Sequence, residues 1–127
     1  MRLLLDTHVF LWLTTEHPSL SDHHRDAFLD DGAETFLSAA SYWEICIKYA
    51  LGKLKLTPDW PEHFDREVLR SRIRWLPVER VHCQALLSLP HHHRDPFDRM
   101  LVAQALSEDL VIATTDRRIR RYAVETI

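Results

Sequence analysis

Short runs of apolar residues recur along the chain and alternate with longer segments in which polar and apolar positions are mixed. A short continuous apolar run is typical of a strand that is buried on both faces of a sheet. Four such runs predict strands at residues 2–5, 35–37, 73–78 and 110–113. A fifth, residues 124–127, is predicted to be an edge strand.

The mixed segments between these runs predict helices, and capping residues mark several of their ends. Ser21 is a predicted N-cap, Gly32 and Gly52 are predicted to end helices, and Asp95-Pro96 is a favourable N-cap and first helical residue. Pro90 and the three histidines that follow it are predicted to form a loop. The predicted helices cover residues 7–13, 22–31, 38–51, 62–71, 79–88, 96–107 and 116–122.

Strands that alternate with helices predict a three-layer α/β/α domain around a mainly parallel sheet of four to five strands. The 127 residues, 46% of them hydrophobic, are enough for one core, so we expect residues 1–127 to form one domain. Ligands of such sheets bind beyond the carboxyl ends of the strands. Asp6 and Asp116 each follow a predicted strand at that edge.

Composition excludes several kinds of site. Gly32 and Gly52 are too far apart for a G-x-G-x-x-G turn or a Walker A loop. Cys46 and Cys83 form no C-x-x-C pair, so a cysteine zinc cage is excluded. No apolar stretch approaches the ~20 residues of a membrane helix, and the first apolar run is too short for a signal peptide. We therefore expect a cytoplasmic protein without a membrane partner.

The formal charge of −3 does not favour a bulk electrostatic attraction to nucleic acid. Thirteen of the 16 basic residues are nonetheless arginine, whose planar guanidinium suits phosphate oxygens. Arg117 and Arg118 are candidate substrate contacts, as are the hydroxyls of Thr114 and Thr115, which precede Asp116. For the threonines the alternative is a position in a buried strand. A solvated helix face is the alternative for an earlier group of arginines, Arg66, Arg70, Arg72 and Arg74.

Four acidic residues are the candidate catalytic groups, although each has a structural explanation of its own. Asp6 and Asp116 can cap the helices that follow them, and Asp98 lies in the first turn of a helix, where an acid is favourable. Glu44 can pair with Lys48 at i, i+4 on a solvated face. Taken together, however, the four acids fall at one edge of the predicted sheet.

Carboxylates that converge raise one another's pKa unless a cation neutralises them. Oxygen ligands of this kind suit Mg²⁺ or Mn²⁺, which can activate water and hold a phosphodiester for in-line displacement. We therefore expect Asp6, Asp98 and Asp116 to bind the metal, with Glu44 binding directly or through water. Asp95 is left out because an N-cap role explains it.

The chain resembles PIN-domain ribonucleases, and specifically the VapC toxins of bacterial type II toxin–antitoxin pairs. The similarity runs in order along nearly the whole sequence. The segments that carry it are LLLDTHVFLW (residues 3–12), SAASYWEICIKYALGKL (38–54), LPHHHRDPFDRMLVAQA (89–105) and VIATTDRRIRRY (111–122).

This resemblance implies both a site and an activity. The acid after the first strand matches Asp6, the S-x-W-E type motif matches Glu44, the D-R-x-L-x-A-Q-A motif matches Asp98, and the acid after T-T matches Asp116. It implies a Mg²⁺- or Mn²⁺-dependent endoribonuclease that leaves a 5′-phosphate and a 3′-hydroxyl. It also implies neutralisation by a VapB antitoxin and a homodimer or a toxin–antitoxin hetero-oligomer.

Three other interpretations rank lower. His91, His92 and His93 lack zinc-site spacing and are expected to form a solvated loop rim. An aspartyl-phosphate phosphohydrolase is disfavoured because His8 stands where a second acid is needed. The alternative of a different class is a catalytically silent RNA- or protein-binding module on the same scaffold.

Overall fold

Four parallel strands form the centre of the fold in the computed structural model, which describes residues 1–127. The strands are β1 (Arg2–Leu5), β2 (Glu34–Ser38), β3 (Arg74–Leu76) and β4 (Val111–Ala113). Their order is β3-β2-β1-β4, so β1 has a neighbour on each side. Leu3 of β1 pairs with Thr35 on one side and with Val111 on the other. This central position explains the continuous apolar run of β1, which is buried on both faces.

Six α-helices cover the two faces of the sheet. They are α1 (Thr7–Thr15), α2 (Asp22–Leu29), α3 (Ala39–Ala50), α4 (Trp60–Arg70), α5 (Arg80–Ala85) and α6 (Pro96–Glu108). Successive strand residues point to opposite faces, so Leu4 and Leu5 enter two different hydrophobic clusters. Leu4 packs with residues of α6, and Leu5 packs with residues of α1, α3 and α4. The predicted three-layer α/β/α architecture is thus confirmed.

The predicted capping residues occupy the helix ends except Gly32, because α2 already ends at Leu29 with Asp30 as its C-cap. Ser21 accepts the His24 N–H at 3.1 Å, and Asp95 accepts the Phe97 and Asp98 N–H groups at 2.8 and 3.2 Å. Ser38 is the N-cap of α3 rather than its first residue, because its hydroxyl accepts the Ala40 N–H at 3.0 Å. Gly52 follows α3 with a φ of 71°, in the left-handed region that favours glycine.

The structure corrects the prediction most strongly after β4. The predicted helix at residues 116–122 is wrong, since only a 3-10 turn at Ile119–Arg121 forms. The predicted edge strand at 124–127 is reduced to one parallel bridge, between Ile112 and Thr126. Within residues 116–122, the Arg118 N–H donates to the Asp116 side chain and the Arg120 side chain donates to the Thr114 carbonyl. Further on, the chain turns back, so that the Ile112 N–H donates to the Glu125 carbonyl and the Ile127 N–H donates to the Ile112 carbonyl.

Smaller differences concern the ends of elements. The segment predicted as a helix at 79–88 divides into α5 and a 3-10 turn at Leu86–Ser88. β3 is shorter than the predicted 73–78 and is followed by Pro77, which cannot donate a ladder hydrogen bond. α1 runs two residues beyond the predicted end and α2 stops two residues short of it. No helix is both long and apolar enough to cross a membrane.

The parallel topology determines where polar side chains meet. All four carboxyl ends lie at one edge, and Asp6 and Thr114 directly follow the neighbouring strands β1 and β4. The Asp6 N–H donates to the Ala113 carbonyl at 3.0 Å, which holds the two strand ends in register.

Candidate metal centre

Asp6 is oriented by β4 rather than by the helix that it precedes. It occupies the N-cap position of α1, but its side chain makes no capping hydrogen bond. Instead the buried Thr114 hydroxyl donates to Asp6 Oδ2 at 2.6 Å and accepts the Asp116 N–H at 3.0 Å. Capping therefore does not explain the Asp6 carboxyl, and Thr114 links it to the loop that carries Asp116.

Glu44 projects from α3 into the interior and is only 2% exposed. The predicted pair with Lys48 forms, with Nζ 2.5 Å from Glu44 Oε2, but the predicted solvated face is wrong for Glu44. One turn earlier on α3, Ser41 accepts a hydrogen bond from the Thr7 hydroxyl at 2.9 Å, which ties α3 to the start of α1 next to Asp6. Glu44 Oε1 is buried and has no hydrogen-bond partner.

Asp98 enters the site from the first turn of α6. Its backbone N–H is held by the Asp95 cap, while its carboxyl is turned away from the helix end towards His93. Asp98 Oδ2 lies 2.9 Å from His93 Nε2, and the same nitrogen is hydrogen-bonded to Asp116 Oδ2 at 3.1 Å. The histidine thus joins the carboxyl groups of α6 and of the loop after β4.

His93 is the site residue that the sequence analysis missed. His91 and His92 are exposed as expected for a loop rim, but His93 is buried, with 6% of its surface exposed. The only sequence signal is its place two residues before the N-cap Asp95, whose backbone N–H donates to His93 Nδ1 at 3.1 Å. Three adjacent histidines in a loop do not by themselves reveal which one turns inward.

The charges of the four acids act on one another. Burial raises the pKa of Asp98 to about 8, and the charges of Asp6, Asp95, Glu44 and Asp116 add to the effect. Burial also raises the pKa of Asp6, although the Thr114 hydrogen bond opposes it. Partial burial acts to raise the pKa of Asp116, but hydrogen bonds from the Arg118 backbone and from His93 outweigh it, so this pKa is lowered. Asp6, Glu44 and Asp116 are thus close enough to Asp98 for their charges to add to the effect of burial on its pKa.

The donor set fits a divalent cation such as Mg²⁺ or Mn²⁺. Carboxylate oxygens are the ligands these ions prefer, and a cation would offset the burial and the neighbouring charges that together raise the pKa of Asp98. His93 Nε2, Asp98 Oδ2 and Asp116 Oδ2 lie within 4.8 Å of one another. The unpartnered Glu44 Oε1 is an independent indication, because a buried carboxylate oxygen without a donor is costly unless a cation or its bound water faces it.

The predicted substrate contacts have different surroundings. Thr114 is fully buried and its hydroxyl is used by Asp6 and Asp116, so it orients carboxyls and is not accessible to a substrate. Thr115 and Arg117 are exposed beside the acids. Arg118 is also exposed, and its Nε lies 3.9 Å from Asp116 Oδ1, at the rim of the site.

Comparison with known proteins gives a family and a fold. The sequence matches the PIN domain family over residues 3–125. No functionally curated protein matches the chain. The fold is similar to that of a chain in the VapBC2 complex of Rickettsia felis bound to a promoter DNA fragment, with a TM-score of 0.75 and 15% identity, covering 100% of this chain and 98% of that one.

Two further solved structures are similar over almost their whole length. A chain of DNA-bound VapBC from Salmonella typhimurium has a TM-score of 0.70 and 19% identity, covering 100% of this chain and 97% of that one. A chain of FitAcB from Neisseria gonorrhoeae has a TM-score of 0.62 and 20% identity, covering 98% and 96%.

Proposed function

The chain belongs to the PIN domain family, and from this premise we propose that it is a Mg²⁺- or Mn²⁺-dependent endoribonuclease of the VapC toxin type. The observation that carries the proposal is the arrangement of the four acids. Asp98 and Asp116 lie together, Thr114 links Asp116 to Asp6, and the buried Glu44 Oε1 has no partner. We propose RNA as the substrate class because the chain resembles PIN-domain ribonucleases, and a cation held by carboxylates would suit the hydrolysis of a phosphodiester.

Asp6, Asp98 and Asp116 would hold the cation, with Glu44 Oε1 binding it directly or through water. When bound, the cation supplies an activated water for in-line attack at phosphorus and stabilises the charge that develops on the phosphate oxygens. Thr114 keeps the Asp6 carboxyl in place, and Lys48 balances one oxygen of Glu44.

The rim of the site provides contacts for the RNA. Thr115, Arg117 and Arg118 are exposed next to Asp116, where guanidinium and hydroxyl groups can bind the phosphates that flank the cleaved bond. These contacts are not base-specific, so we expect loop shape and exposed bases to decide which RNA is cut.

The proposal includes a protein partner. The similar structures are VapBC complexes, and by analogy we propose that a VapB-type antitoxin neutralises this chain in the cytoplasm. We propose a homodimer or a toxin–antitoxin hetero-oligomer as the assembled state.

Cleavage of RNA by the purified chain, freed of any partner, tests the proposal. A mixed pool of structured RNAs is incubated with Mn²⁺, with Mg²⁺ or with EDTA, beside an Asp98→Asn variant whose fold is checked by circular dichroism. We expect cleavage in either metal, none in EDTA and none with the variant. Equal cleavage by wild type and variant would contradict the assignment as a metal-dependent nuclease.

The second candidate is the catalytically silent RNA- or protein-binding module. One observation favours it: Lys48 and His93 already give partners to Glu44, Asp98 and Asp116 without a metal. It predicts no cleavage in any metal and no heat of Mn²⁺ binding by calorimetry, whereas the nuclease binds Mn²⁺ even when the right RNA is missing.

A further inference from the structure

We infer that His93 is a positioning residue of this centre, whose neutral imidazole donates its Nε2–H towards the Asp98 and Asp116 carboxylates and does not bind the metal ion. The inference rests on the proposed metal site and states how the chain's own residues prepare it. A histidine 2.9 and 3.1 Å from two acids can be a third ligand or a hydrogen-bond donor.

The distances alone allow both roles. Nε2 and one oxygen of each carboxyl lie within 4.8 Å of one another, as ligands of one ion would. Nε2 can bind a cation only through its lone pair, which requires the ring proton to be on Nδ1. The protonation of Nδ1 therefore decides between the two roles.

The backbone of Asp95 determines where that proton lies. Its N–H donates to His93 Nδ1 at 3.1 Å, so Nδ1 must present a lone pair, and the proton of the neutral ring is on Nε2. If Nε2 bound a metal ion, the ring proton would have to be on Nδ1, where it would face the Asp95 N–H. The same Asp95 caps α6 through its side chain, which couples the tautomer of His93 to the position of Asp98.

The ring has little freedom to escape this arrangement. The His93 N–H donates to the Tyr122 hydroxyl at 3.0 Å, and Arg99 donates to the same hydroxyl at 3.0 Å and to the Pro90 carbonyl at 2.7 Å. Tyr122 is itself buried in the cluster beneath α6. His93 is thus held at its backbone by Tyr122 and at its ring by the Asp95 N–H.

The donor role has a consequence for the two carboxyls. The hydrogen bond to Asp116 Oδ2 and the Arg118 N–H on Asp116 Oδ1 at 2.8 Å set the orientation of that carboxyl. Asp98 Oδ2 lies against the same imidazole nitrogen, so its other oxygen is the one left for a cation. An N–H between two carboxyls thus fixes one oxygen of each before a metal ion arrives.

Mn²⁺ binding distinguishes a donor from a ligand without any assay of activity. Electron spin-echo envelope modulation of Mn²⁺ bound to the full wild-type chain detects an imidazole nitrogen that is directly bound. We expect no coupling between Mn²⁺ and a nitrogen of His93, so wild type and His93→Gln should give the same spectrum. A coupling in wild type that disappears in His93→Gln overturns the inference and leaves the metal site standing.

Calorimetry of Mn²⁺ binding gives the second measurement. His93→Gln keeps an N–H donor in the same region and is expected to keep the wild-type affinity within a few-fold. His93→Leu has no donor and is expected to lose about 10–100-fold, the usual effect of removing a group that orients metal ligands. The exposed His91→Leu is the matched control and should bind Mn²⁺ as wild type does.

The outcomes separate this inference from the proposed function. Equal losses in His93→Gln and His93→Leu would contradict the donor role. If neither wild type nor any variant binds Mn²⁺, the metal site itself is absent, and both the inference and the proposed nuclease are overturned.

Discussion

Asp98 lies where burial and four neighbouring carboxylates act on one side chain in the same direction, which raises the pKa of its carboxyl to about 8. The folded, metal-free protein therefore binds a proton that the unfolded chain, with an ordinary carboxyl pKa, has already released. A state that binds more protons is stabilised by acid, so the free energy of unfolding falls as the pH rises from about 4 to about 8.

We expect this group to contribute a slope of up to about 1.4 kcal/mol per pH unit within that window. In Asp98→Asn the amide has no proton to lose, so the curve should be flatter and the variant more stable than wild type at pH 9. Urea unfolding in EDTA from pH 5 to 9, followed by circular dichroism, measures the difference. Parallel curves for the two proteins would show that Asp98 is an ordinary carboxyl.

For single residues, the sequence predicts which side chains belong to the site better than it predicts their protonation or orientation. Asp6, Asp98 and Asp116 could be chosen from their positions after strands and at a helix start. The sequence predicts that converging carboxylates raise one another's pKa, but neither the burial of Asp98, which is the main cause of its raised pKa, nor the inward turn of His93 could be predicted, because both arise only in the fold.

At the scale of elements, a hydrogen bond between the residues that follow β1 and β4 holds the site together. Thr114 follows β4 and Asp6 follows β1, and their 2.6 Å hydrogen bond connects residues 108 positions apart. The alternating pattern of the sequence predicts a parallel sheet, but only the structure shows that β1 lies beside β4. The loop after β4 was not predicted either: in place of the predicted helix at residues 116–122, side chains of Asp116 and Arg120 hydrogen-bond to the backbone of the loop.

This hydrogen bond leads to a prediction for Thr114→Val, which keeps the side-chain shape but removes the hydroxyl. The buried Asp6 carboxyl loses its donor and the Asp116 N–H loses its acceptor, so we expect a loss of about 1–3 kcal/mol in stability. RNA cleavage should fall about 10–100-fold, as for other residues that orient metal ligands.

Thr115→Val is the matched control, because Thr115 is the exposed neighbour in the same loop. It should leave the stability unchanged within about 0.5 kcal/mol, the usual range for surface substitutions. Thr114→Ser should restore most of both properties. If Thr114→Val cleaves RNA as well as wild type does, the hydroxyl has no part in preparing the site.

At the scale of the whole molecule, the charge distribution favours a local rather than a general contact with RNA. The net charge is −3, so most of the surface does not attract a polyanion. The strands are parallel, which separates the site edge, where Arg117 and Arg118 are exposed, from the opposite edge, where Arg72 precedes β3. The clustering of arginines was visible in the sequence, but only the fold assigns each group to an edge.

This separation predicts that Arg117→Gln/Arg118→Gln weakens RNA binding while leaving the chemical step intact. The Arg118 contact with Asp116 that matters for the site is its backbone N–H, which the substitution keeps. We expect KM to rise with little change in kcat. The slope of log affinity against log salt should decrease by about 1.4, at about 0.7 for each lost phosphate contact with a single strand.

Arg72→Gln, at the opposite edge, is the control and should change neither KM nor the slope. A similar effect from both variants would mean that RNA is attracted by the overall charge of the protein, and an unchanged slope in the double variant would remove these two arginines from the RNA contact.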